Sequence, residues 1–209
     1  NLIIQSGDNV LLNGNVSVAG LLDVDAVDAI SLTQGKLVQV GTLDNKAGAN
    51  IDSASLTMAT NSTLDVEGAV QIITSSDSTV FNIDSESSIK VDADNITTNG
   101  TVDAGIDALA TIDLDSASST IVNGTVNAIG NVDIDSVANT QINGTVISNA
   151  NLTINANTGL VANAALSATD DLLLTSANGS VVLNDSVIAG GNLTIEAING
   201  LLAEALLQS

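Results

Sequence analysis

The chain has 209 residues, of which 24 are acidic and three are basic, and its formal net charge is −21. Because Lys and Arg make the phosphate contacts of nucleic-acid-binding and membrane-surface proteins, this charge excludes nucleic acid and anionic membrane surfaces as partners. The chain has no His or Cys, and its basic residues are all Lys, which excludes most acid–base, thiolate and oxyanion-binding catalysis. The sequence therefore predicts a protein that is not an enzyme.

The apolar residues are almost all Val, Ile, Leu and Ala, with single Phe and Met residues and no Trp, Tyr or Pro. Branched aliphatic side chains that stack on copies of themselves fill a narrow, regular interior, whereas an irregular core uses aromatic rings. The absence of Pro is typical of a chain of paired strands, because Pro lacks the N–H that a ladder requires. No apolar run reaches the ~18 residues of a membrane span, so we expect no membrane insertion.

Two sequence markers recur in the first half of the chain at long and similar intervals. They are [Ile/Leu]-Asp-Ser at 51–53 and 83–85, and Gly-x-[Val/Leu] at Gly35, Gly68 and Gly100. Both markers recur at an interval of about 32 residues, which lies within the range of known structural repeats. We interpret residues 1–98 as irregular coils of about 32 residues, or as shorter coils with excursions of about a dozen residues at 54–80 and 86–110.

The second half, residues 99–200, repeats at a shorter interval of twenty residues. Segment 131–135 alternates polar and apolar residues, which is the period-two pattern of a strand with one buried face. Short strands of this kind bury their apolar faces by stacking at a separation of about 4.8 Å. The predicted core columns are Ile112, Val132, Leu152, Leu172 and Leu193, and, two positions on, Leu114, Ile134, Ile154, Leu174 and Ile195. A further column is Val122, Ile142, Ala162 and Val182.

These patterns predict an all-β fold, a right-handed parallel β-helix (β-solenoid) that forms a single domain over residues 1–209. We expect about eight to ten coils of ~20 residues, with longer coils of ~32 residues in the N-terminal half. Residues 201–209 contain good helix formers and are interpreted as a cap or as the start of the next coil. An antiparallel sandwich would show no register at twenty residues, and a leucine-rich repeat needs a sustained Leu-x-x-Leu-x-Leu pattern.

Two segments of the second half resemble a known family: ANLTINA at 150–156 and AGGNLTIEA at 189–197. With the Asn-Gly-Thr-Val and Gly-Leu-Val-Ala strings of this half, they resemble the repeats of filamentous-haemagglutinin-type exoproteins. These are large bacterial surface adhesins exported by two-partner secretion, and autotransporter-like proteins have similar repeats. The resemblance covers residues 99–200 and implies a long extracellular right-handed β-helix whose shaft has no active site.

The sharpest candidate site is a group of four carboxylates, Asp113, Asp115, Asp133 and Asp135. If the intervening aliphatic residues point inward, these side chains point outward and stack one coil apart. Stacked like charges are destabilising unless they are bridged, and Ca²⁺ would bridge them with oxygen ligands. The alternative is a solvated acidic face that keeps the molecule soluble, so Ca²⁺ is a candidate cofactor but none is required. Five residues share the pattern less regularly: Asp23, Asp25, Asp84, Asp92 and Asp94.

A column of Asn residues in the turns of the second half is the next candidate. Each side-chain amide would donate to the next along the stack, as amide ladders do in stacked-strand structures. Several of these residues also begin Asn-x-Ser/Thr, so glycan attachment is an alternative interpretation. The predicted ladder is Asn123, Asn143, Asn163 and Asn184.

From this fold and the resemblance we expect a non-catalytic, extracellular structural or adhesive shaft segment of a cell-surface protein. Its partners would be adjoining repeats of a longer chain and a host or cell-surface receptor. The alternative is a self-assembling extracellular filament or sheath subunit that stacks head-to-tail on other copies of itself through open solenoid ends. Residues 1–4 and 201–207 are apolar and would form those ends.

Overall fold

The computed structural model describes residues 1–105, 107, 109–204 and 206–209. Within these ranges the chain forms 30 β-strands and no helix. Three strands make one coil, and equivalent strands of ten successive coils pair in parallel to form three ten-stranded sheets. The prediction of an all-β parallel solenoid is therefore confirmed. The described residues contain no helix long and apolar enough to cross a bilayer.

The sheets are numbered in the order in which each coil enters them. Sheet 1 contains β1 (Leu2–Ser6), β4 (Leu22–Ala26), β7 (Ala49–Ser53), β10 (Val70–Thr74), β13 (Ile89–Ala93), β16 (Ile112–Ser116), β19 (Val132–Ser136), β22 (Leu152–Ala156), β25 (Leu172–Ser176) and β28 (Leu193–Ala197). Sheet 2 contains β2 (Val10–Leu12), β5 (Ala29–Leu32), β8 (Ser55–Met58), β11 (Asp77–Val80), β14 (Asn95–Thr98), β17 (Thr120–Val122), β20 (Asn139–Ile142), β23 (Gly159–Ala162), β26 (Val181–Leu183) and β29 (Leu201–Ala203). Sheet 3 contains β3 (Val16–Val18), β6 (Leu37–Val40), β9 (Thr63–Val66), β12 (Asn82–Ser85), β15 (Val102–Ala104), β18 (Val126–Ala128), β21 (Val146–Ser148), β24 (Leu166–Ala168), β27 (Val187–Ala189) and β30 (Leu207–Gln208). Corner 1 leads from sheet 1 to sheet 2, corner 2 from sheet 2 to sheet 3, and corner 3 into the next coil.

The length of each coil follows from sheet 1, whose first residues pair in register from coil to coil. In the second half, Ile112 pairs with Val132 and Val132 with Leu152, each twenty residues on, as predicted. In the first half the paired residues are Leu2, Leu22, Ala49, Val70, Ile89 and Ile112. The prediction of long coils throughout the N-terminal half is therefore wrong, because successive pairs there lie only about 19 to about 27 residues apart.

The two markers of the first half indicated the wrong coil length because their copies lie in different sheets. Residues 51–53 belong to β7 of sheet 1, whereas residues 83–85 belong to β12 of sheet 3. Gly35 precedes a strand of sheet 3, and Gly68 precedes a strand of sheet 1. Each marker spacing therefore measures one full coil and part of the next.

The extra residues of the first half lie at corner 3. Residues 41–48 connect β6 to β7, and residues 105–111 connect β15 to β16. Of the two segments predicted as excursions, 54–80 consists of regular strands and short turns, and 86–110 leaves the regular coil only from residue 105. The excursions are thus shorter than predicted and occupy the same corner.

The interior is a continuous stack of branched aliphatic side chains. Eight of the ten predicted core residues of the second half are no more than 1% exposed. The other two, Leu193 and Ile195, pack against the core but are only partly buried, because they lie in the last coil. Since a fully buried Leu or Ile side chain contributes about 1.5–3 kcal/mol, this stack is the main source of stability.

The third predicted core column, which ends with Ala162 and Val182, is wrong at Val182. Ala162 pairs with Leu183 rather than with Val182, which lies between two inward-facing residues and faces outward. Residues up to Ser176 keep the twenty-residue spacing, and the pairs from Val181 onward are one residue further apart. The inserted residue therefore lies in corner 1 and shifts the register of sheet 2.

Residues 201–209 continue the solenoid. Leu201–Ala203 pairs with β26, and Leu207–Gln208 pairs with β27. The segment is therefore neither a helical cap nor the start of a further coil, because its strands complete the tenth coil, which β28 begins. These residues form strands in spite of their helix propensity, because each strand pairs with a strand of the preceding coil.

Candidate functional site: carboxylate and amide columns on the outer face

The outer face of sheet 1 carries the four predicted carboxylates. Asp113 pairs in register with Asp133, and Asp115 pairs with Asp135, on strands β16 and β19. Paired strands lie about 4.8 Å apart, so these side chains form two stacked pairs on one face. The register of β16 and β19 therefore brings all four carboxylates together.

Lys90 provides a positive charge at this site that the sequence analysis did not assign to it. It pairs in register with Asp113, and its Nζ lies 2.7 Å from Asp113 Oδ2 and 2.6 Å from Asp115 Oδ2. These hydrogen bonds, first to Asp113 and then to Asp115, raise the pKa of Lys90 well above its usual range. Two of the four proposed calcium ligands therefore share one ammonium group, which balances one of their two negative charges.

The other two carboxylates have neutral partners. Asn155 Nδ2 donates to Asp135 Oδ1 at 2.7 Å. Burial raises the pKa of Asp133, a hydrogen bond from Thr153 opposes this change, and the neighbouring carboxylates add to it. Within the described ranges no three His, Cys, Asp or Glu side chains are grouped closely enough to hold a metal ion. Calcium binding by Asp113, Asp115, Asp133 and Asp135 stays a prediction.

The five less regular acidic candidates do not gather at one place. Asp92 lies on β13, directly below the four carboxylates, and Asp23 and Asp25 lie several coils further down on β4. Asp94 lies in corner 1, and Asp84 lies in sheet 3. Only Asp92 therefore belongs to the same group.

Sheet 3 carries a carboxylate column that the sequence analysis missed. Asp84 pairs in register with Asp65 below it and with Asp103 above it. A side-chain amide donates to the carboxylate at each end of this column. Gln39 Nε2 donates to Asp65 Oδ2 at 3.4 Å, and Asn127 Nδ2 donates to Asp103 Oδ1 at 2.9 Å. Burial, followed by the charges of Asp103 and Asp65, raises the pKa of Asp84. The string Asp-x-Glu, which occurs at 65–67 and again at 84–86, was the signal for this column.

An ion pair joins the two excursions of corner 3. Lys46 Nζ lies 3.0 Å from Asp107 Oδ1 and 4.0 Å from Glu86 Oε2. The hydrogen bond with Asp107 raises the pKa of Lys46. Desolvation and the charge of Glu86 raise the pKa of Glu67, whose Oε2 is buried without a hydrogen-bond partner. Corner 3 is thus a second acidic group with a single Lys among its described residues.

The predicted Asn ladder runs along corner 2. Asn143 donates to Asn123, Asn163 to Asn143, and Asn184 to Asn163, at 2.8, 2.8 and 2.7 Å. Asn123 donates in turn to Asn99 at 3.0 Å, so the ladder has one more member than the sequence analysis named. The shared string Asn-Gly-Thr at residue 99 was the signal for it.

A different ladder runs along corner 3 and was not foreseen. Here the side-chain oxygen that precedes each sheet 1 strand accepts from a backbone N–H one coil on. Asn131 accepts from Asn151 N at 3.2 Å, Asn151 from Asp171 N at 3.0 Å, and Asp171 from Asn192 N at 2.7 Å. Asp can occupy a position in this ladder, because the side chain at that position is needed only as a hydrogen-bond acceptor.

A small polar network lies inside the solenoid, next to corner 1. Thr120 donates to Ser116 and Thr140 donates to Ser136, both at 2.9 Å, and the two Ser hydroxyls lie 3.1 Å apart. All four side chains are buried. Their mutual hydrogen bonds offset the cost of burying hydroxyl groups in an aliphatic core.

These columns of side chains link neighbouring coils. Most of the outer contacts join side chains of neighbouring coils, so they fix the register that the interior packing also needs. Comparison with models of protein families, with curated proteins and with solved structures finds no match to this chain.

Proposed function

We propose that the chain is a non-catalytic shaft segment of an extracellular surface protein, of the kind that filamentous-haemagglutinin-type exoproteins contain. The observation that supports this function is the uninterrupted pairing of all three sheets through ten coils. At about 4.8 Å per coil, this pairing makes a rod about 45 Å long. Such a rod is stiff because every coil hydrogen-bonds to its neighbours on three sides, and it would space a binding region away from a cell.

Two exposed aliphatic side chains at corner 3 support an adhesive role for the same segment. Leu43 is 81% exposed and Leu109 is 84% exposed, and they lie on the two excursions that Lys46 and Asp107 join. Exposed aliphatic groups on loops held by a rigid scaffold are typical of contact surfaces. These loops would meet a host or cell-surface receptor.

The test of the shaft is the duplication of one whole coil, residues 132–151, which runs from the first residue of β19 to the residue before β22. Small-angle X-ray scattering should show a rod lengthened by about 4.8 Å with no loss of thermal stability. Duplication of residues 132–141 is the matched control, because half a coil places sheet 1 residues over sheet 2 and should unfold the neighbouring coils. Equal tolerance of both insertions would count against a shaft in which register is essential.

The test of location and adhesion uses intact cells that make the protein. An impermeant surface label should modify Lys36 and Lys46, and the purified chain should bind host cells through the corner 3 loops. Leu43→Ser with Leu109→Ser should reduce that binding, whereas Val137→Ser, which changes an exposed residue of corner 1, should not. Labelling only after lysis would contradict the extracellular location.

Head-to-tail filament assembly is the second candidate function, and it would use the exposed apolar side chains of the first and last coils. The inward side chains of the first coil, Leu2 and Ile4, are only partly buried, and Leu201 of the last coil is 47% exposed. Placing β1 of a second copy on β28 would set Leu2 over Leu193 and continue all three sheets. Further coils of the same chain would cover the same surfaces.

Electron microscopy of the purified chain over a range of concentrations separates these outcomes. Filaments that lengthen with concentration support assembly, and Ile4→Lys should shorten them because it places a charge in the interface. Ile3→Lys is the matched control, since Ile3 is exposed on the outer face of the same strand. Discrete short rods at every concentration would exclude the filament.

A further inference from the structure

Asn-Gly pairs are the chemically weakest steps in this backbone, because Gly has no side chain to shield its nitrogen from the preceding Asn. In deamidation, the Gly backbone nitrogen loses its proton and attacks the Asn Cγ, and the amide nitrogen leaves as ammonia. Water then opens the resulting succinimide at either carbonyl and yields Asp or isoaspartate. The chain has six such pairs: Asn13–Gly14, Asn99–Gly100, Asn123–Gly124, Asn143–Gly144, Asn178–Gly179 and Asn199–Gly200.

The Asn ladder holds both reacting groups of its central pairs. Asn143 Nδ2 donates to Asn123 at 2.8 Å, and Asn143 Oδ1 accepts from Asn163 at 2.8 Å. The attacking nitrogen is held as well, because Gly144 N donates to Val122 O at 3.0 Å. Gln141 Nε2 also donates to Asn143 Oδ1 at 3.0 Å, so attack requires the loss of three side-chain hydrogen bonds and one backbone hydrogen bond.

Close packing of the Gly residues adds to this protection. A Cβ at Gly144 would overlap the carbonyl oxygen of Gly124, and a Cβ at Gly124 would overlap that of Gly100. The backbone therefore has no room to rotate toward the geometry of attack without displacing the neighbouring coil. Gly124 N also donates to Thr98 O at 3.2 Å, so the Asn123 pair is held in the same way.

Asn13 is the least restrained member of the set. Its side chain is exposed, and its Oδ1 accepts a single hydrogen bond from Thr33 Oγ1 at 3.1 Å. No atom lies within 4 Å of the position that a Cβ on Gly14 would occupy. Both the side chain and the Gly backbone can therefore move to the geometry of attack at little cost.

The other three pairs keep part of these restraints, and the side chains of Asn99 and Asn178 each take part in one side-chain hydrogen bond. Gly100 and Gly179 are packed against the coil below, where a Cβ on either residue would overlap the nearest atom. Gly200 is open, but the Asn199 amide donates to Asn178 O at 2.7 Å. We expect these pairs to react at intermediate rates.

We infer that Asn13 is the site of spontaneous deamidation in the folded protein, and that the ladder protects Asn123 and Asn143 from the same reaction. The protection matters for the fold because a carboxylate only accepts hydrogen bonds. An Asp at position 143 or 123 would face the Oδ1 of Asn123 or Asn99, respectively, without a proton to donate. Chemical ageing of the shaft therefore begins in its first coil, whatever the function of the protein.

The experiment is incubation of the folded protein in mildly alkaline buffer, with peptide mapping by mass spectrometry to measure amide loss at all six sites. Asn13 should react more than about tenfold faster than Asn143, which corresponds to about 1.4 kcal/mol of additional barrier. In denaturant the six rates should become similar, because the local sequence is then the only influence. Equal rates at Asn13 and Asn143 in the folded protein, or the same ranking in denaturant, would overturn the inference.

A ladder variant tests the protecting hydrogen bond itself. Asn163→Ala removes one of the two groups that donate to Asn143 Oδ1, the other being Gln141, and should raise the rate at Asn143 while the rate at Asn13 stays the same. Asn149→Ala is the matched control, because Asn149 is exposed and lies outside the ladder. An unchanged rate at Asn143, or an equal rise at all six sites, would contradict protection by the ladder.

Discussion

At the scale of single residues, the outer columns differ in whether a side chain can both donate and accept. An amide does both, so Asn can repeat from coil to coil without limit, as it does from Asn99 to Asn184. A carboxylate only accepts, and the columns of Asp are accordingly closed by a donor. Asn155, Asn127 and Lys90 are such donors.

Asn143→Asp should therefore destabilise the protein, because the new carboxylate loses the hydrogen bond to Asn123 and places a charge against its Oδ1. The expected loss is about 1 kcal/mol, the contribution of one typical hydrogen bond. Urea unfolding measures it, with Asn149→Asp as a control that adds the same charge outside the ladder. Equal effects of both variants would show that charge, and not the ladder, is responsible.

Lys90→Gln should also destabilise the protein, because it leaves Asp113 and Asp115 without their ammonium partner. Since these groups are partly exposed and screened by solvent, the loss should be about 0.5–1 kcal/mol and should shrink in high salt. Lys36→Gln is the matched control, because Lys36 is also partly exposed but lies at corner 2, outside this group. An identical loss in both variants would mean that only net charge matters.

The same variant tests the calcium prediction. A ligand bound only by the folded state raises the melting temperature, and removing the competing ammonium group should enlarge that rise. Calcium titration should therefore stabilise Lys90→Gln more than the unaltered protein. No stabilisation of either protein at millimolar calcium would remove the calcium hypothesis.

At the scale of strands and corners, the regular half was predictable and the first half was not. A strict twenty-residue interval places equivalent residues in one column, so the buried positions of β16, β19, β22 and β25 follow from sequence alone. In the first half, coil lengths vary and similar strings occupy different sheets, so spacing no longer reports register. The Lys90 and Lys46 ion pairs could not be foreseen for this reason, since they join residues 23 and 61 positions apart.

Gly144→Ala should be strongly destabilising, because its Cβ would overlap the Gly124 carbonyl oxygen. Backbone in the coil below would have to move, and overpacking of this kind costs about 1–3 kcal/mol. Gly14→Ala is the matched control, because nothing lies within 4 Å of its Cβ position. Thermal unfolding that ranks the two variants equally would contradict the close stacking of corner 2.

Three carboxyl groups with raised pKa values, one in each of sheets 1 and 3 and one at corner 3, predict an unusual dependence of stability on pH. The pKa values of Asp84, Asp133 and Glu67 are raised from ordinary values of 3.8, 3.8 and 4.5. Between the ordinary and the raised pKa, the folded chain binds protons that the unfolded chain has released. Stability should therefore rise as the pH falls from neutral through this window, and level off below the ordinary pKa values. Urea midpoints that fall steadily over the same range would contradict this.

Asp84→Asn isolates the central carboxyl of the sheet 3 column. At neutral pH it should stabilise the protein, because it removes the charge between Asp65 and Asp103 and supplies an amide donor. It should also flatten the rise in stability at acidic pH. Asp28→Asn, at an exposed position in corner 1, changes the net charge equally and should leave the pH profile in place.

At the scale of the whole molecule, the same arrangement of inward and outward side chains extends from the first coil to the last. Inward aliphatic side chains stack in three sheets, outward polar side chains pair across coils, and the longer connections all leave at corner 3. Composition alone indicated this architecture, because a chain without Pro and nearly without aromatic residues can fill only a narrow and repetitive interior. The two aliphatic residues proposed as contact residues, Leu43 and Leu109, were not apparent from the sequence, because only their exposure distinguishes them.

The most direct test of the account is the register of the first half, where sequence spacing and structure disagree. Asn50 pairs with Gln71 on strands β7 and β10, whereas the longer coil that the marker spacing predicted would place Asn50 beside Asn82. Paired Cα atoms about 4.8 Å apart lie within the range that a disulfide bridges, and the chain has no Cys of its own. Asn50→Cys with Gln71→Cys should form a disulfide under mild oxidation, and Asn50→Cys with Asn82→Cys should stay reduced. A disulfide only in the second pair would contradict the ten-coil solenoid.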